Sequence, residues 1–515
     1  MTTRSRWLAL GAMVAVVAGA VFFRFYDLAT NPGGLYTDEA GEGLDALRLL
    51  HQPGFHADWM VWFQSDGGRE ALFAYVVAAA FHFFGETALV LRATAAAFGV
   101  AGVLAIFWLG RRFGTWTGVV AAAWAAGSLW LICVSRDGMR NTIVPLFGAV
   151  ALIALLHWAA RPGRLSALLA GAVTSLAALY TYQPLKMLPL LVVVWIVWLR
   201  HADRTRYNEL RAGLLPFAAA FLVVAAPMIA VAVTDPISYF GRAAAVSTFN
   251  PAVAADASLP IHILKTIAMF GFTGDGNGRH DVAFLPLLPL PLVALAALGV
   301  WRLWRNRRDP SHSLILLSLV VFMIPPLVAT EGWSPHFLRV LGLAAPIGVT
   351  IGLGAAELVG QVRRRSGRWR RPAGDPVIAP ITAIAPIAAI TAVAVALAAV
   401  AVWSGWTYLS RPISDRYTAY SYEAAAASQY AADHPGSVVI IDGFSGTDIE
   451  FLQWADPPTI VSPGTRIDNP KAYAAIVAMT QDDLTNALGA ELGDRAKPVA
   501  WDPAGKPVVW AVAPR

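Results

Sequence analysis

The chain reads as an α-helical polytopic membrane protein carrying a small C-terminal extracytoplasmic α/β domain. It is 57% hydrophobic and only 14% charged, with a mean hydropathy of +0.56, whereas about a quarter of the residues of soluble domains are charged. Apolar runs of spanning length recur up to residue 403. Beyond residue 411 the composition changes to short β-branched runs separated by turn residues.

The first run, "WLALGAMVAVVAGAVFFRF", follows Arg4 and Arg6. It is nearly long enough to span, and bulky "FFRFYD" stands where a small-residue cleavage site would lie, so it reads as an uncleaved helix with a cytoplasmic N-terminus. A span needs roughly 20 apolar residues, which predicts about eleven crossings. These fall near 7–25, 92–110, 115–134, 141–160, 165–182, 184–200, 212–233, 284–302, 312–330, 340–360 and 381–403. The segment 71–85 is too short to cross and is assigned to the membrane interface. With that choice Arg111/Arg112, Arg161/Arg164, "RHADRTR", "RLWRNRR" and the linker "RRRSGRWRRPAGDP" all fall on the cytoplasmic side, as the positive-inside rule expects. The two units expected are a transmembrane module over 1–405 and the α/β domain over 411–515. In the latter, "SVVIIDGF", "PTIVS", "AAIVAM" and "KPVVWAVA" read as strands among helices at 419–432 and 480–491.

Composition excludes several functions. The net charge of +6 sits in short loops between apolar runs, where it orients the chain, so no nucleic-acid partner is implied. The one cysteine, Cys133, supports neither a disulfide nor a cysteine-based metal site and reads as a small core residue. There is no P-loop, no Ser–His–Asp order and no paired-histidine zinc motif, so nucleotide-driven transport has no visible engine.

The remaining polar clusters share the extracytoplasmic face: "YTDEAGEG" (36–43), "SDGGRE" (65–70), "SRDGMRN" (135–141), "TYQPLK" (181–186), "GDGNGRHD" (274–281) and "EGWSPHFLR" (331–339). Ionisable groups at span ends are costly unless paired or hydrated, so their convergence is a site hypothesis. Asp38 and Glu39 can act as a base with a supporting partner, as ligands of a divalent metal ion, or as charges complementing the dipole of a following amphipathic helix, which is expected at the interface. Arg69, Arg136, Arg140, Lys186, Arg279 and Arg339, with His280 and His336, run against the topology bias; an anionic head group explains them, since guanidinium forks and ammonium groups bind phosphate. Arg92 is read equally well as snorkelling to lipid phosphates. "GDGNGRHD" fails as a calcium loop, because Arg279 stands at a ligand position. Its glycines instead let a ligand approach Asp275, Asn277, Arg279, His280 and Asp281, a plain turn being the other reading.

The acidic pair in "TDEA", the interfacial helix, "LVLRATAAAFGVAGVLAIFWLGRRFG" and "SRDGMRN", in this order, resemble the GT-C membrane glycosyltransferases, in particular the protein O-mannosyltransferase-like and lipid A aminoarabinose transferase-like group. The resemblance covers roughly residues 1–360. It implies a GT-C fold in a bacterial plasma membrane and inverting transfer of a sugar from a polyprenyl-phosphate donor to a lipid, glycan or protein acceptor outside the cell. It gives Asp38 the role of the family's first-loop aspartate, with Glu39 beside it, and gives Asp137 that of the aspartate after the third span. "PHFLR" looks like a motif of bacterial members and implies a donor-phosphate role for His336 and Arg339, to which Lys186, Arg136 and Arg140 are added on chemistry. Arg69, Glu70, Asp275, Asn277, Arg279 and His280 are the expected substrate contacts; "GRE" reverses the family's usual acid-then-base order at Arg69 and Glu70. No nucleotide or redox cofactor is required by an activated donor, and a divalent metal stays unassigned. A flippase for lipid-linked glycans and a non-catalytic scaffold are the rival readings.

Overall fold

The computed structural model describes residues 3–52, 60–64, 68–250, 258–329, 333–369 and 378–514. Residues 65–67 of "SDGGRE", 331–332 of "EGWSPHFLR" and the linker over 370–377 lie outside this set. Eight helices are long and apolar enough to cross a bilayer: Thr3–Phe25 (α1), Ala88–Arg111, Arg140–Ala160, Gln183–Ala202, Leu214–Thr234, Pro310–Val328, Leu341–Ser366 and Ile384–Leu409. The expected span at 115–134 is broken into Thr115–Gly127 and Leu129–Arg136, which meet at 59°. Ser128 at the break is extended, and a Gly–Ser pair is a known cause of such kinks.

Two other expected spans are helices of 16 residues, Arg164–Leu179 and Leu290–Arg305. At 1.5 Å per residue each reaches about 24 Å, short of the roughly 30 Å hydrocarbon core. In the second, Pro286 and Pro289 hold the chain extended and delay the helix to Leu290. Length and composition among the described residues therefore support eight spans, or nine with the bent pair, of the eleven expected.

The first loop carries a helix over Thr37–His51 (α2), a two-stranded hairpin of Trp62–Phe63 (β1) and Arg69–Glu70 (β2), and a helix over Leu72–Phe84 (α3). The 13 residues of α3 are too few to cross. Phe73, Val77 and Phe81, spaced by four, are buried on one face while Phe83 and Phe84 project at its end. The helix α2 is expected to present an acidic and an apolar side, but protein covers both. Glu39, Glu42, Leu44, Asp45 and Leu47 are all buried, because α2 packs between α3 and the helix Gly443–Leu452 of the C-terminal region. Gly43 permits this contact, since a Cβ there would lie 2.3 Å from the Phe451 ring.

The C-terminal region is a five-stranded sheet in the order β4-β3-β5-β7-β6. Val438–Ile440 (β3), Thr459–Val461 (β4), Ile476–Ala478 (β5) and Pro507–Val512 (β7) fall in the predicted runs. Lys497–Trp501 (β6) is a further strand outside those runs, and its edge position tolerates Pro498. β3 runs parallel to β4 and β5, and β7 antiparallel to β5 and β6.

Helix Leu290–Arg305 lies close against Ala344–Trp369 because small residues face each other. A Cβ on Gly354 would fall 1.8 Å from the Leu295 carbonyl oxygen, and one on Gly299 would fall 1.9 Å from that of Thr350. Close backbone approach through small residues is a main source of helix association in lipid. Gly354→Val should therefore cost about 1–3 kcal/mol and lower the thermal midpoint of the purified protein, whereas Gly11→Val, whose Cβ meets nothing within 4 Å, should leave it unchanged.

Candidate active site

The acids of α2 divide into two groups. Glu39, Glu42 and Asp45 recur every three residues, which keeps them on one side of the helix. That side faces a row of cations. Arg92 on the helix Ala88–Arg111 donates from Nε to Glu39 Oε1 (2.6 Å) and from a terminal nitrogen to Oε2 (2.9 Å). Its other donations reach the carbonyls of Gly33 and Gly34. Both side chains are almost wholly buried, so Arg92 does not snorkel. The Gly138 amide also donates to Glu39 (3.0 Å), and this ties the loop after the broken span to α2. Glu42 receives Arg140 at 2.6 Å, while Asp45 pairs with Arg48 at 3.1 Å and lies 3.9 Å from Arg69. Arg140 also reaches Glu70, which Lys186 meets at 3.1 Å, and so the hairpin is drawn into the same network.

Asp38 belongs to neither row. Its side chain is 13% exposed, and its Oδ2 lies 3.9 Å from Arg242, itself 31% exposed. Arg242 stands on the short helix Pro236–Ala245, whose Tyr239 ring lies 4.8 Å below the Lys186 ammonium; Trp62 flanks the same ammonium at 5.4 Å. Asp38 and Arg242 are thus partly open, and Lys186, 17% exposed, lies against Tyr239 of the helix that carries Arg242; these residues form the rim of the site. Sequence reasoning missed Arg242, Tyr239 and Trp62. A signal was present, since "DPISYFGR" follows a span end with a capping Asp235 and Pro236 at the first turn.

Asp137 lies beside this network and is completed from the far end of the chain. The Tyr420 hydroxyl donates to its Oδ1 at 2.6 Å. Burial first, and the nearby Glu39 charge second, push the Asp137 carboxyl up to about 7, while Arg279 and the Tyr420 hydrogen bond oppose the shift. Tyr422 donates to the Pro32 carbonyl (2.8 Å), and the backbone of Gly34 presses against that of Tyr420. Arg136, expected at donor phosphate, is turned the other way: it is fully buried and donates to the carbonyls of Phe23 (2.8 Å) and Asn31 (2.7 Å) beneath the Tyr408 ring.

The 274–281 loop folds into a second cluster. Asp275 accepts from Asn277 and Trp333 on Oδ1 and from His280 and the Phe337 amide on Oδ2. Burial alone would raise Asp275, but the His280 hydrogen bond and charge hold it well below the usual carboxylate range. Burial pushes His280 down to about 4, so it is neutral near pH 7 and donates through Nδ1. Its ring lies 5.0 Å from that of His336, which stacks on Trp333. Arg279 turns away from this cluster and sits 3.3 Å over the Tyr36 ring at the entry to α2. Asn277 turns its side-chain oxygen back on the Arg279 amide. Arg339 is half-buried within electrostatic range of His262.

Asp275, His280 and His336 bring one ligand atom each within 4.8 Å of one another and are the residues that could hold an ion. The expected pair fits less well, because both Glu39 oxygens are occupied by Arg92. Within the triad the Asp275–His280 separation of 2.9 Å is a hydrogen bond, closer than the about 3.3 Å between two ligands on one tetrahedral zinc.

Two outcomes follow from this geometry. Arg92→Ala leaves Glu39 buried and uncompensated, and should cost about 3–5 kcal/mol, seen as loss of the folded protein in detergent. Asp137 binds its proton more tightly in the folded than in the unfolded chain. Its stabilising contribution is therefore full below about pH 4 and lost as pH rises through about 7. Measured against Asp137→Asn, thermal midpoints should show that loss, and Tyr420→Phe should carry it to higher pH.

No protein-family model and no curated protein sequence matches the chain. Solved structures do. ArnT of Cupriavidus metallidurans in the apo state superposes with a TM-score of 0.60 at 14% identity, covering 99% of this chain and 98% of that one. The same protein bound to undecaprenyl phosphate gives 0.54 at 16% identity over 97% and 98%. The Archaeoglobus fulgidus oligosaccharyltransferase gives 0.53 at 12% identity, covering 99% of this chain and 75% of that one. Both are GT-C glycosyltransferases. From its first helix to its C-terminal sheet, this multi-pass membrane chain has the GT-C fold.

Proposed function

We propose that the chain is an inverting membrane glycosyltransferase that moves a sugar from a polyprenyl-phosphate donor to an extracytoplasmic acceptor, with Asp38 as general base. One observation carries the reading: on a helix whose Glu39 and Glu42 are locked to buried guanidinium groups, Asp38 is 13% exposed and lies 3.9 Å from the partly exposed Arg242. Its fold likeness to ArnT, which was solved with undecaprenyl phosphate bound, supports a lipid-linked donor. The likeness to an oligosaccharyltransferase tethered to an acceptor peptide supports transfer to a second substrate.

In this reading the acceptor hydroxyl attacks the anomeric carbon from the side opposite the phosphate, and Asp38 takes its proton. The bond from the sugar to the phosphate oxygen breaks, and the electron pair leaves with the lipid phosphate. Charge grows on that phosphate, where Lys186 and Arg242 at the rim stabilise it, each such contact being worth about 3 kcal/mol. A single displacement inverts the configuration. Glu39, with Arg92, holds α2 in place and is a positioning residue. Asp137 stands behind α2 and sets the electrostatics there. The basic loops orient the module so that this rim faces outward, which leaves the lipid tail of the donor in the outer leaflet.

Purified protein offered a panel of radiolabelled polyprenyl-phosphate sugars, with lipid, glycan and peptide acceptors, should transfer label from at least one donor. Asp38→Asn should reduce that transfer by about 100-fold or more, with membrane insertion and thermal midpoint unchanged. Full activity in this variant removes Asp38 as the base.

A further inference from the structure

The segment that delivers Tyr420 to Asp137 has a second face. Tyr417 and Glu423, three residues to either side of Tyr420, line a groove of about 610 Å³ together with Gln481, Lys506 and Trp510. That volume is in the range of sites that take small organic ligands. We propose that this groove binds a neutral, hydroxyl-rich saccharide.

The two rings are held in place before any ligand arrives. Tyr417 stacks on Tyr422 with centroids 5.6 Å apart and planes 25° from parallel, and Tyr422 is itself anchored to the Pro32 carbonyl. Trp510 projects from β7, which is paired on both sides, to Ala478 of β5 and Pro498 of β6. Both side chains are half-buried, so each keeps part of its surface toward the groove. Flat, immobile aromatic surfaces suit the C–H faces of a pyranose or furanose ring, which are apolar although the ring edge is not.

The polar groups around these rings suit the edge. A sugar hydroxyl donates one hydrogen bond and accepts others, so a wall that recognises it needs both functions close together. Glu423 accepts, Lys506 donates, and Gln481 does both. One carboxylate and one ammonium leave the lining without net charge. The groove therefore does not select for an anion, and the first turn of the bordering helix Gln481–Leu488 carries Asp482 and Asp483, which repel one. A phosphate polymer or an acidic lipid head group is thus disfavoured against a neutral polyol.

Because this site lies in the C-terminal region, it goes beyond the transfer reaction and does not depend on it. Its position has a consequence if both readings hold. A chain of sugars seated between Tyr417 and Trp510 is anchored on the segment that inserts Tyr420 beside Asp137, which places the site for the remote part of a glycan acceptor.

The test is a direct binding measurement on the full chain in lipid nanodiscs, which avoids detergents with sugar head groups. Calorimetry and intrinsic tryptophan fluorescence would be read against neutral hexasaccharides of mannose, arabinose and glucose, with a heparin hexasaccharide as the anionic probe. At least one neutral probe should bind, and Gln481→Ala and Lys506→Ala at the rim, and Trp510→Ala on the sheet, should each weaken it about tenfold. The rim variants should retain the wild-type thermal midpoint. Absence of binding by all three neutral probes, unchanged affinity in the rim variants, or tighter binding of the heparin probe would each overturn the assignment. Transfer of label to a short acceptor should be unaltered in Gln481→Ala, so a failure of saccharide binding is separable from a failure of the transferase reading.

Discussion

The arrangement of the polar clusters around the candidate site depends on the buried pair of Arg92 and Glu39. Two charges taken out of water are costly, and their attraction offsets that cost only with good geometry and further hydrogen bonds. Both conditions are met: the pair is bidentate, the remaining guanidinium donors reach Gly33 and Gly34, and Glu39 also accepts from Gly138. Three separate pieces of chain, the entry to α2, the start of the helix at Ala88 and the loop after the broken span, are thereby fixed to one another. Such a knot contributes little net stability and much positional definition.

With α2 held in this way, neighbouring residues on one helix take different duties. Glu39 points inward and is saturated by its partners, whereas Asp38 points to the rim near Arg242. The cations divide similarly. Arg92, Arg136 and Arg140 serve the fold, through a carboxylate, two carbonyls and two carboxylates respectively, while Lys186 and Arg242 retain exposure. Both are paired as well, Lys186 with Glu70 and Arg242 with Asp38, but unlike the deeper cations they keep part of their surface open.

Much of the fold was legible in the sequence, because spanning runs are long, uninterrupted and bounded by charge. Its errors occur where proline or a small-residue break shortens a run, as at Pro286, Pro289 and Ser128. The site was legible as a set of motifs but not as a set of roles. Arg92 at the head of an apolar run looks the same whether it reaches lipid phosphate or a carboxylate 53 positions earlier. Asp38 and Glu39 are adjacent in sequence, and only the packing of α2 separates their surroundings. Arg242 was missed because the Asp235–Pro236 signal marks only the start of a short helix and does not single out a residue further along it. Tyr420 could not be found, since its contact with Asp137 joins positions 283 residues apart.

That last contact also bears on the timing of biosynthesis. The segments that carry Asp38, Arg92 and Asp137 are made early, yet the neighbourhood of Asp137 is incomplete until the polypeptide beyond Leu409 has been made and Tyr420 has folded back onto it. A nascent chain paused after its last hydrophobic helix would hold the membrane machinery in nearly final form without the tyrosine that finishes it. Completion of that neighbourhood would then report that the C-terminal region has folded.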